Sequence, residues 1–363
     1  MTTKRLVVDG FANSCYFRTS VADGERKALV QITERCNLHC AHCFVSSTKN
    51  GIDISLDDIT MKVIPRLAQA RVSRVTLTGG EPFAHPHLFE ICEAFVERGM
   101  SVGICTNATL ADDALLEKIQ SLDNVHFNVS FDGFRPESHG KFRGNRSSFA
   151  ITLQTTRLIA SMGMLQGLLS TPNMLTGVEE FSDLCEFAVE IGAEYVLMNP
   201  LSSFGRGVKS QGRMAAPDEI MSAIRNVTSR FADKGLDTVH IRFPNEAAQP
   251  LAGCDAGKLI YVFSDGLTAV CPYLVFAART PQSQHSDKEF LVGNILDESV
   301  APMLDSYDMS KLEMGTNSSC ASCAIESSCG KGCPAAVISN GGWVGEVDKE
   351  QCAKPLLQIG RRP

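Results

Sequence analysis

The stretch "RCNLHCAHCF", residues 35–44, places Cys36, Cys40 and Cys43 within eight positions, directly after the short apolar segment "ALVQIT" at 28–33. Thiolates at such short separations can wrap one face of a cubane iron–sulfur cluster, and three ligands for four irons leave one iron free. The same spacing also suits zinc, completed by His39, His42 or a distant residue, or left open for water as in catalytic zinc sites. What the segment around it folds into decides between them.

Working outward, strand-like and helix-like segments alternate from residue 28 to about 235. "RVTLT" (74–78), "SVGICT" (101–106), "VHFNVS" (125–130), "LQGLLST" (165–171) and "AEYVLMN" (193–199) read as strands. Between them, "LDDITMKVIPRLAQA", "HLFEICEAFVERG", "DDALLEKIQSL", "FAITLQTTRLIASMG" and "VEEFSDLCEFAVEIG" carry helical periodicity, and "APDEIMSAIRNVTSRFADKG" (216–235) closes the series. Pro65 should kink or break the first of these helices. About six βα units predict a parallel sheet with helices outside, an α/β fold of the partial (β/α)6 TIM-like barrel kind, because eightfold closure needs two more. Ligands in such folds bind at the carboxyl ends of the strands, which puts the three-cysteine segment at the functional mouth. Residues 1–27 read as an extra strand or hairpin, 28–240 as the barrel, and 241–363 as a second, cysteine-rich domain too poor in periodic segments for a large core. Such a domain can be held together by metal.

Charge and cysteine usage narrow the function. The net charge of −7 argues against a nucleic-acid partner. The start "MTTKRLVVDG" lacks the apolar core of a signal peptide and no apolar run is long enough for a membrane span, so the expected location is cytoplasmic. Fourteen cysteines in such a protein are not a disulfide framework. Three lie at 36–43 and seven between 254 and 352, and clusters of this kind point to metal. Cys15, Cys92, Cys105 and Cys185 fall outside both groups and read as small core residues.

The CxxxCxxC segment after the first strand, here "CNLHCAHC", resembles the radical S-adenosylmethionine superfamily. The resemblance implies that Cys36, Cys40 and Cys43 hold a 4Fe-4S cluster whose free iron is chelated by the amino and carboxylate groups of S-adenosylmethionine. Reduction would then cleave the sulfonium to methionine and a 5′-deoxyadenosyl radical. Further matches follow at successive strand ends. "LTGGEP" (77–82) resembles the family's GGE motif and nominates Gly79, Gly80 and Glu81 as contacts of the methionine amino group, the glycines letting backbone approach a ligand. "CTNAT" matches the family's TNG at Asn107 and departs from it at Ala108, so no left-handed backbone is required there. "VSFDG" nominates Ser130 as a cofactor contact, with Asp132 capping a turn. "HGKFRG" nominates Arg143 as partner of the methionine carboxylate. "NPLSSFGRG" (199–207) resembles the loop after the sixth strand, and Arg206, Lys209 and Arg213 in its basic continuation read as solvated surface.

The second cysteine group runs Cys254, eleven residues, Gly266, four residues, Cys271, then "CASCAIESSCGKGC" with Cys320, Cys323, Cys329 and Cys333, and finally Cys352. Paired zinc knuckles are the simpler reading of such a pattern. It resembles the SPASM extension found in maturases of sulfatases, pyrroloquinoline quinone and mycofactocin, with "GNILDES" (293–299) between its halves. That resemblance implies two auxiliary 4Fe-4S clusters, the outer held by Cys320, Cys323, Cys329 and Cys352, the inner by Cys254, Cys271 and Cys333. The eighth cysteine that some relatives carry just before the first is missing from "NEAAQPLAG", which leaves the inner cluster an open iron for water, Glu246 or substrate. Pro272 stands where sulfatase maturases have a catalytic aspartate, which disfavours formylglycine formation. Tyr273 and Asp265 remain candidate proton acceptors, with packing and turn roles favoured.

Together these features predict a radical enzyme that uses S-adenosylmethionine and three 4Fe-4S clusters, fed by a flavodoxin- or ferredoxin-type reductant. The expected reaction is oxidative modification of a peptide side chain: cross-linking, thioether formation, dehydrogenation or decarboxylation. Against this reading, only about 30 residues precede the barrel, too few for the leader-binding domain that many peptide maturases carry, unless a detached leader-binding protein supplies one. The alternative is the same chemistry on a sugar, aminocyclitol or nucleoside, and a non-catalytic zinc or electron-transfer protein is a third reading. The last leaves the strand-end motifs unexplained.

Overall fold

The computed structural model describes residues 10–17, 21–312 and 318–353. Seven parallel strands follow the chain in simple order: β1 (Arg26–Thr33), β2 (Val72–Gly79), β3 (Ser101–Thr106), β4 (Val125–Ser130), β5 (Leu165–Ser170), β6 (Tyr195–Met198) and β7 (Asp237–His240). Helices cover the outside; Leu88–Glu97 buries Leu88, Ile91, Cys92 and Phe95, the stripe that a 3.6-residue repeat directs inward. β1 is buried along its last six residues, as a central parallel strand must be when both faces are covered. β7 and its partner β6 add one short strand beyond the six expected units.

Three more strands extend the same sheet past β1. β8 (Leu259–Val262) pairs in parallel with β1, and β9 (Leu267–Ala269) and β10 (Leu291–Asn294) follow antiparallel, giving the order β10-β9-β8-β1-β2-β3-β4-β5-β6-β7. The residues on either side of 240 therefore share one sheet. This is an incompletely closed barrel whose first strand sits near the middle, and every loop after β1 to β6 opens at one end.

The expected break at Pro65 takes a specific form. Residues Leu56–Asp58 are α-helical, Ile59–Val63 widen into a π-turn, and Ile64–Gln69 resume the α-helix with Pro65 in its first turn. The wider turn accommodates a residue that lacks an N–H and would clash with the preceding turn. Of the segment before the barrel, residues 1–9 and 18–20 lie outside the described residues, and 10–17 form an irregular strap with a single bridge, Ala12 to Leu251. Among the described residues no helix is long and apolar enough to cross a membrane.

A buried ion pair fastens this strap to both ends of the later chain. Arg242 donates its backbone N–H to Asn13 O (2.7 Å), Nη1 to Ser14 O (2.7 Å) and Nη1 again to Asp348 Oδ2 (2.5 Å), with both charged side chains 2% exposed. Arg242→Met should therefore lower unfolding free energy by about 3–5 kcal/mol, since it strands the Asp348 charge inside the protein. Arg242→Met with Asp348→Leu should recover most of the loss. Urea midpoints of the three proteins check this.

Candidate cluster and cofactor site

The cysteine loop leaves β1 at Thr33 and is braced on every side by backbone hydrogen bonds. Cys36 N donates to Thr48 O (2.8 Å), His39 N to Arg143 O (3.2 Å) and Ala41 N to Phe142 O (2.9 Å). From the loop after β6, Arg206 donates Nε to Cys40 O (2.9 Å), Nη1 to Ser47 O (2.7 Å) and its backbone N–H to Cys43 O (3.0 Å), and Ser210 Oγ donates to Ala41 O (2.9 Å). Arg206 thus points inward as a clamp on the cysteine loop, whereas Lys209 and Arg213 are exposed as expected. No local signal in the sequence marks that clamp, because its three acceptors are backbone carbonyls. Gly205, at φ +51°, lets the two loops touch; a Cβ there would stand 2.3 Å from Phe44 O.

The three sulfurs converge as a donor set. Cys40 lies within electrostatic reach of Cys43 and Cys36, and Leu38 N–H points at Cys36 Sγ (3.5 Å). Burial pushes the Cys36 thiol up to about 11 and the Cys40 thiol to about 12, so their thiolate forms call for a cation. An iron–sulfur cluster supplies that charge, and an all-sulfur set matches its chemistry. Among the described residues no three His, Cys, Asp or Glu side chains gather tightly enough to chelate a single metal ion; a cubane, whose thiolates sit on separate irons, does not ask for that. His39 is exposed, and His42 stacks on Phe142 (5.0 Å, 9°) with Nδ1 3.6 Å from Asp132, its burial favouring the neutral ring.

Around the loop, the strand ends carry the other nominated residues. Gly79 and Gly80 turn out to serve close packing of the chain on itself: a Cβ on either would stand 2.1 Å from Thr33 O or Arg35 O. Gly80 N and Glu81 N donate to those two carbonyls at 2.8 Å. Glu81 is 1% exposed and its carboxylate accepts from Thr106 Oγ1 (2.5 Å), Asn107 N (2.7 Å) and Phe83 N (3.2 Å), tying β2 to β3. That side chain is spent internally. Asn107 donates to Asn37 Oδ1 (3.1 Å), which joins the end of β3 to the cysteine loop. Ser130 ends β4, half-buried.

Arg143 sits 5% exposed beside the cysteines, with Nε 2.8 Å from Asp132 Oδ2. Burial works against its charge, but Asp132 and the Cys40 and Cys36 thiols hold the guanidinium above its ordinary value. Asp132 is more than a turn cap. Burial would raise its carboxyl, yet Arg143, His42 and His139 pull it below the ordinary carboxylate range, and Thr171 N donates to Oδ1 (2.8 Å). It is the counter-ion that lets Arg143 remain charged and buried, a role the sequence could not reveal without knowing that the helix Pro136–Arg143 turns its last residue back onto Asp132.

The later cysteines fall into two sets. Cys320 lies within electrostatic reach of Cys329, Cys352 and Cys323, and Leu251 N–H points at Cys329 Sγ (3.4 Å). Cys254, Cys271 and Cys333 meet separately. Asp348 bridges the sets, its Oδ2 accepting from Cys333 N (3.2 Å) and its backbone O from Cys352 N (3.0 Å). Glu246 is far from serving the inner set: it is exposed and engaged by Ser222 and Arg225. Asp265 caps the turn between β8 and β9 through Leu267 N (3.0 Å). Tyr273 is buried, stacked on Tyr16 (4.9 Å, 9°) and accepting from Asn199 Nδ2 (3.2 Å).

A family model described as "Radical SAM superfamily" matches residues 30–188, the segment that runs from β1 through the helix after β5. Residues 30–188 carry a radical SAM domain. Such a domain implies an enzyme that uses S-adenosylmethionine and a 4Fe-4S cluster. The chain is 28% identical over 287 residues to the antilisterial bacteriocin subtilosin biosynthesis protein AlbA of Bacillus subtilis, covering 78% of this chain and 60% of AlbA. It is 30% identical over 182 residues to the AdoMet-dependent heme synthase of Methanosarcina barkeri, covering 50% of this chain and 52% of that protein. The chain thus spans about half to three-fifths of the length of these relatives. In fold it is similar to Streptococcus suis SuiB bound to S-adenosylmethionine, with a TM-score of 0.68 and 16% identity over 90% of this chain and 76% of SuiB.

The departure at Ala108 yields a prediction. Although alanine replaces the family's glycine, the left-handed conformation is kept, at φ +59° with the side chain fully buried. An L-residue there costs about 1–2 kcal/mol, and glycine would return part of it after its own larger chain entropy is counted. Ala108→Gly should gain up to about 1 kcal/mol in thermal unfolding, and Ala108→Val should lose stability.

Proposed function

We propose that this enzyme oxidatively modifies a side chain of a peptide substrate, with one 4Fe-4S cluster at Cys36, Cys40 and Cys43 and two auxiliary 4Fe-4S clusters at the later cysteines. The observation that carries this reading is the likeness to AlbA over 78% of the chain, beyond the barrel alone. The heme synthase likeness covers half of the chain and so speaks mainly to the shared radical core. The separation of the seven later cysteines into two sets supports the two auxiliary clusters.

When bound, the first cluster and S-adenosylmethionine supply a hydrogen-abstracting radical. The residues of the chain prepare for it. Arg143, held at Nε by Asp132, would pair the rest of its guanidinium with the methionine carboxylate. Backbone carbonyls of Gly79 and Gly80 would accept from the methionine ammonium, while Glu81 fixes the turn that carries them. Asn107 and Ser130 line the remaining strand ends. The apolar wall of Phe44, Tyr16, Phe204 and Tyr273 keeps water from the mouth between the first and inner cysteine sets. The reductant in this reading is a flavodoxin- or ferredoxin-type protein.

Anaerobically reconstituted protein, reduced in the presence of S-adenosylmethionine, should form 5′-deoxyadenosine, and Cys36→Ala should abolish it. With a side-chain-deuterated precursor peptide, deuterium should appear in the 5′-deoxyadenosine. Transfer from a sugar, nucleoside or tetrapyrrole and from no peptide would contradict the peptide assignment.

A further inference from the structure

Cys15 is 2% exposed, like Cys92 and Cys185, but its surroundings differ in kind. Cys92 sits on the apolar face of its helix among core side chains. Cys15 instead lies on the irregular strap, with Sγ 3.4 Å from Gly253 O and 3.9 Å from Ala252 O, the residues that lead into Cys254. Its side chain is hydrogen-bonded to that of Cys333, and the next residue, Tyr16, directs its backbone N–H at the same Cys333 sulfur. Cys333 in turn lies within reach of both Cys254 and Cys271. Four sulfurs from four separate parts of the chain are thereby brought to one place.

Packing gives no reason for this. A small core residue would serve as well as cysteine, and the strap's path is fixed without it. Ala12 N donates to Pro250 O (2.9 Å), Ser14 Oγ to Ala252 O (3.4 Å), and Arg242 fastens the carbonyls of Asn13 and Ser14 from the other side. These bonds hold the strap so that Cys15 faces the inner sulfurs. Further backbone N–H groups aim at the same set: Tyr273 and Leu274 at Cys271, Ala336 at Cys333, and Ala256 at Cys254. Hydrogen bonds to sulfur are what a cluster's negative thiolates call for.

We propose that Cys15 supplies the fourth thiolate of the inner auxiliary cluster, completing the set Cys15, Cys254, Cys271 and Cys333. This rests on the reading that the later cysteines hold clusters. It replaces the open iron that the missing eighth cysteine suggested, because the ligand comes from before the barrel rather than from the segment just before Cys254. On binding, the Cys15 thiol releases its proton to solvent and its sulfur bonds the fourth iron. The inner cluster then offers substrate no vacant vertex, and the strap becomes part of the cluster's cage.

The test uses the full chain with Cys36, Cys40 and Cys43 changed to alanine, so that only auxiliary clusters contribute. After anaerobic reconstitution, iron and sulfide analysis and Mössbauer spectra are compared for this parent, Cys15→Ala and Cys15→Ser. The expected parent spectrum shows every iron in sulfur-only coordination. Cys15→Ala should convert one cluster, on mild oxidation, to a three-iron form with its distinct EPR signal. Cys15→Ser should keep all irons but give one an oxygen-ligated signature and shift that cluster's midpoint potential. Spectra and potentials of both variants identical to the parent's, with iron bound, would overturn the assignment. A Cys15–Cys333 disulfide in the anaerobic, cluster-loaded protein would overturn it as well. A parent that binds no iron would instead defeat the underlying cluster reading, and is recognised by the iron analysis alone.

Discussion

The rest of the structure depends on holding a loop of cysteines rigid at the mouth of a parallel sheet while leaving its sulfurs free to bind metal. Thiols that are to ligate a cluster cannot serve as the loop's own anchors. The anchoring is therefore done by main chain: carbonyls of residues 40, 43 and 47 engage Arg206, and amides of residues 36, 39 and 41 engage Thr48, Arg143 and Phe142. A guanidinium suits this task, since its donors form a planar fork and reach several carbonyls at once. The clamp comes from the far side of the sheet, after β6, so closing the barrel part-way and fixing the cluster loop are one event.

Charge sets the second constraint. A buried arginine beside two thiols needs a counter-ion that does not compete for its ligand-facing edge, and Asp132 provides one through Nε. Glu81 shows the complementary solution, a buried carboxylate given two donors from the end of β3 and one from its own turn. Each of these groups would be costly alone; paired or fully hydrogen-bonded, they fix the geometry of the strand ends. The strap before the barrel repeats the pattern with Arg242 and Asp348, and there too the charged pair positions a backbone that carries a cysteine.

Periodicity and strand-end motifs made the parallel α/β architecture and the first cysteine site legible, since both depend on local sequence. Arg206 was hidden because its acceptors are carbonyls, which leave no trace in composition. Asp132 was hidden because its partner is eleven residues away at the far end of the helix Pro136–Arg143. Ala108 shows the limit of reading a motif by residue type: the backbone conformation persists where the glycine does not, held by Thr106 Oγ1 accepting from its N–H (2.8 Å). Cys15 looked like core filler because nothing in its neighbourhood along the chain announces metal. Its meaning comes only from the far-off residues that the sheet order and the Arg242 bonds bring against it.

The most direct measurement is electron–nuclear double resonance on the reduced, anaerobic enzyme with S-adenosylmethionine labelled by nitrogen-15 in the amino group and oxygen-17 in the carboxylate. Both labels should couple to the cluster spin, and both couplings should vanish in Cys40→Ala. If S-adenosylmethionine binds to a reduced cluster at this loop with neither label coupled, the loop does not present an open iron to the cofactor, and the central claim is wrong.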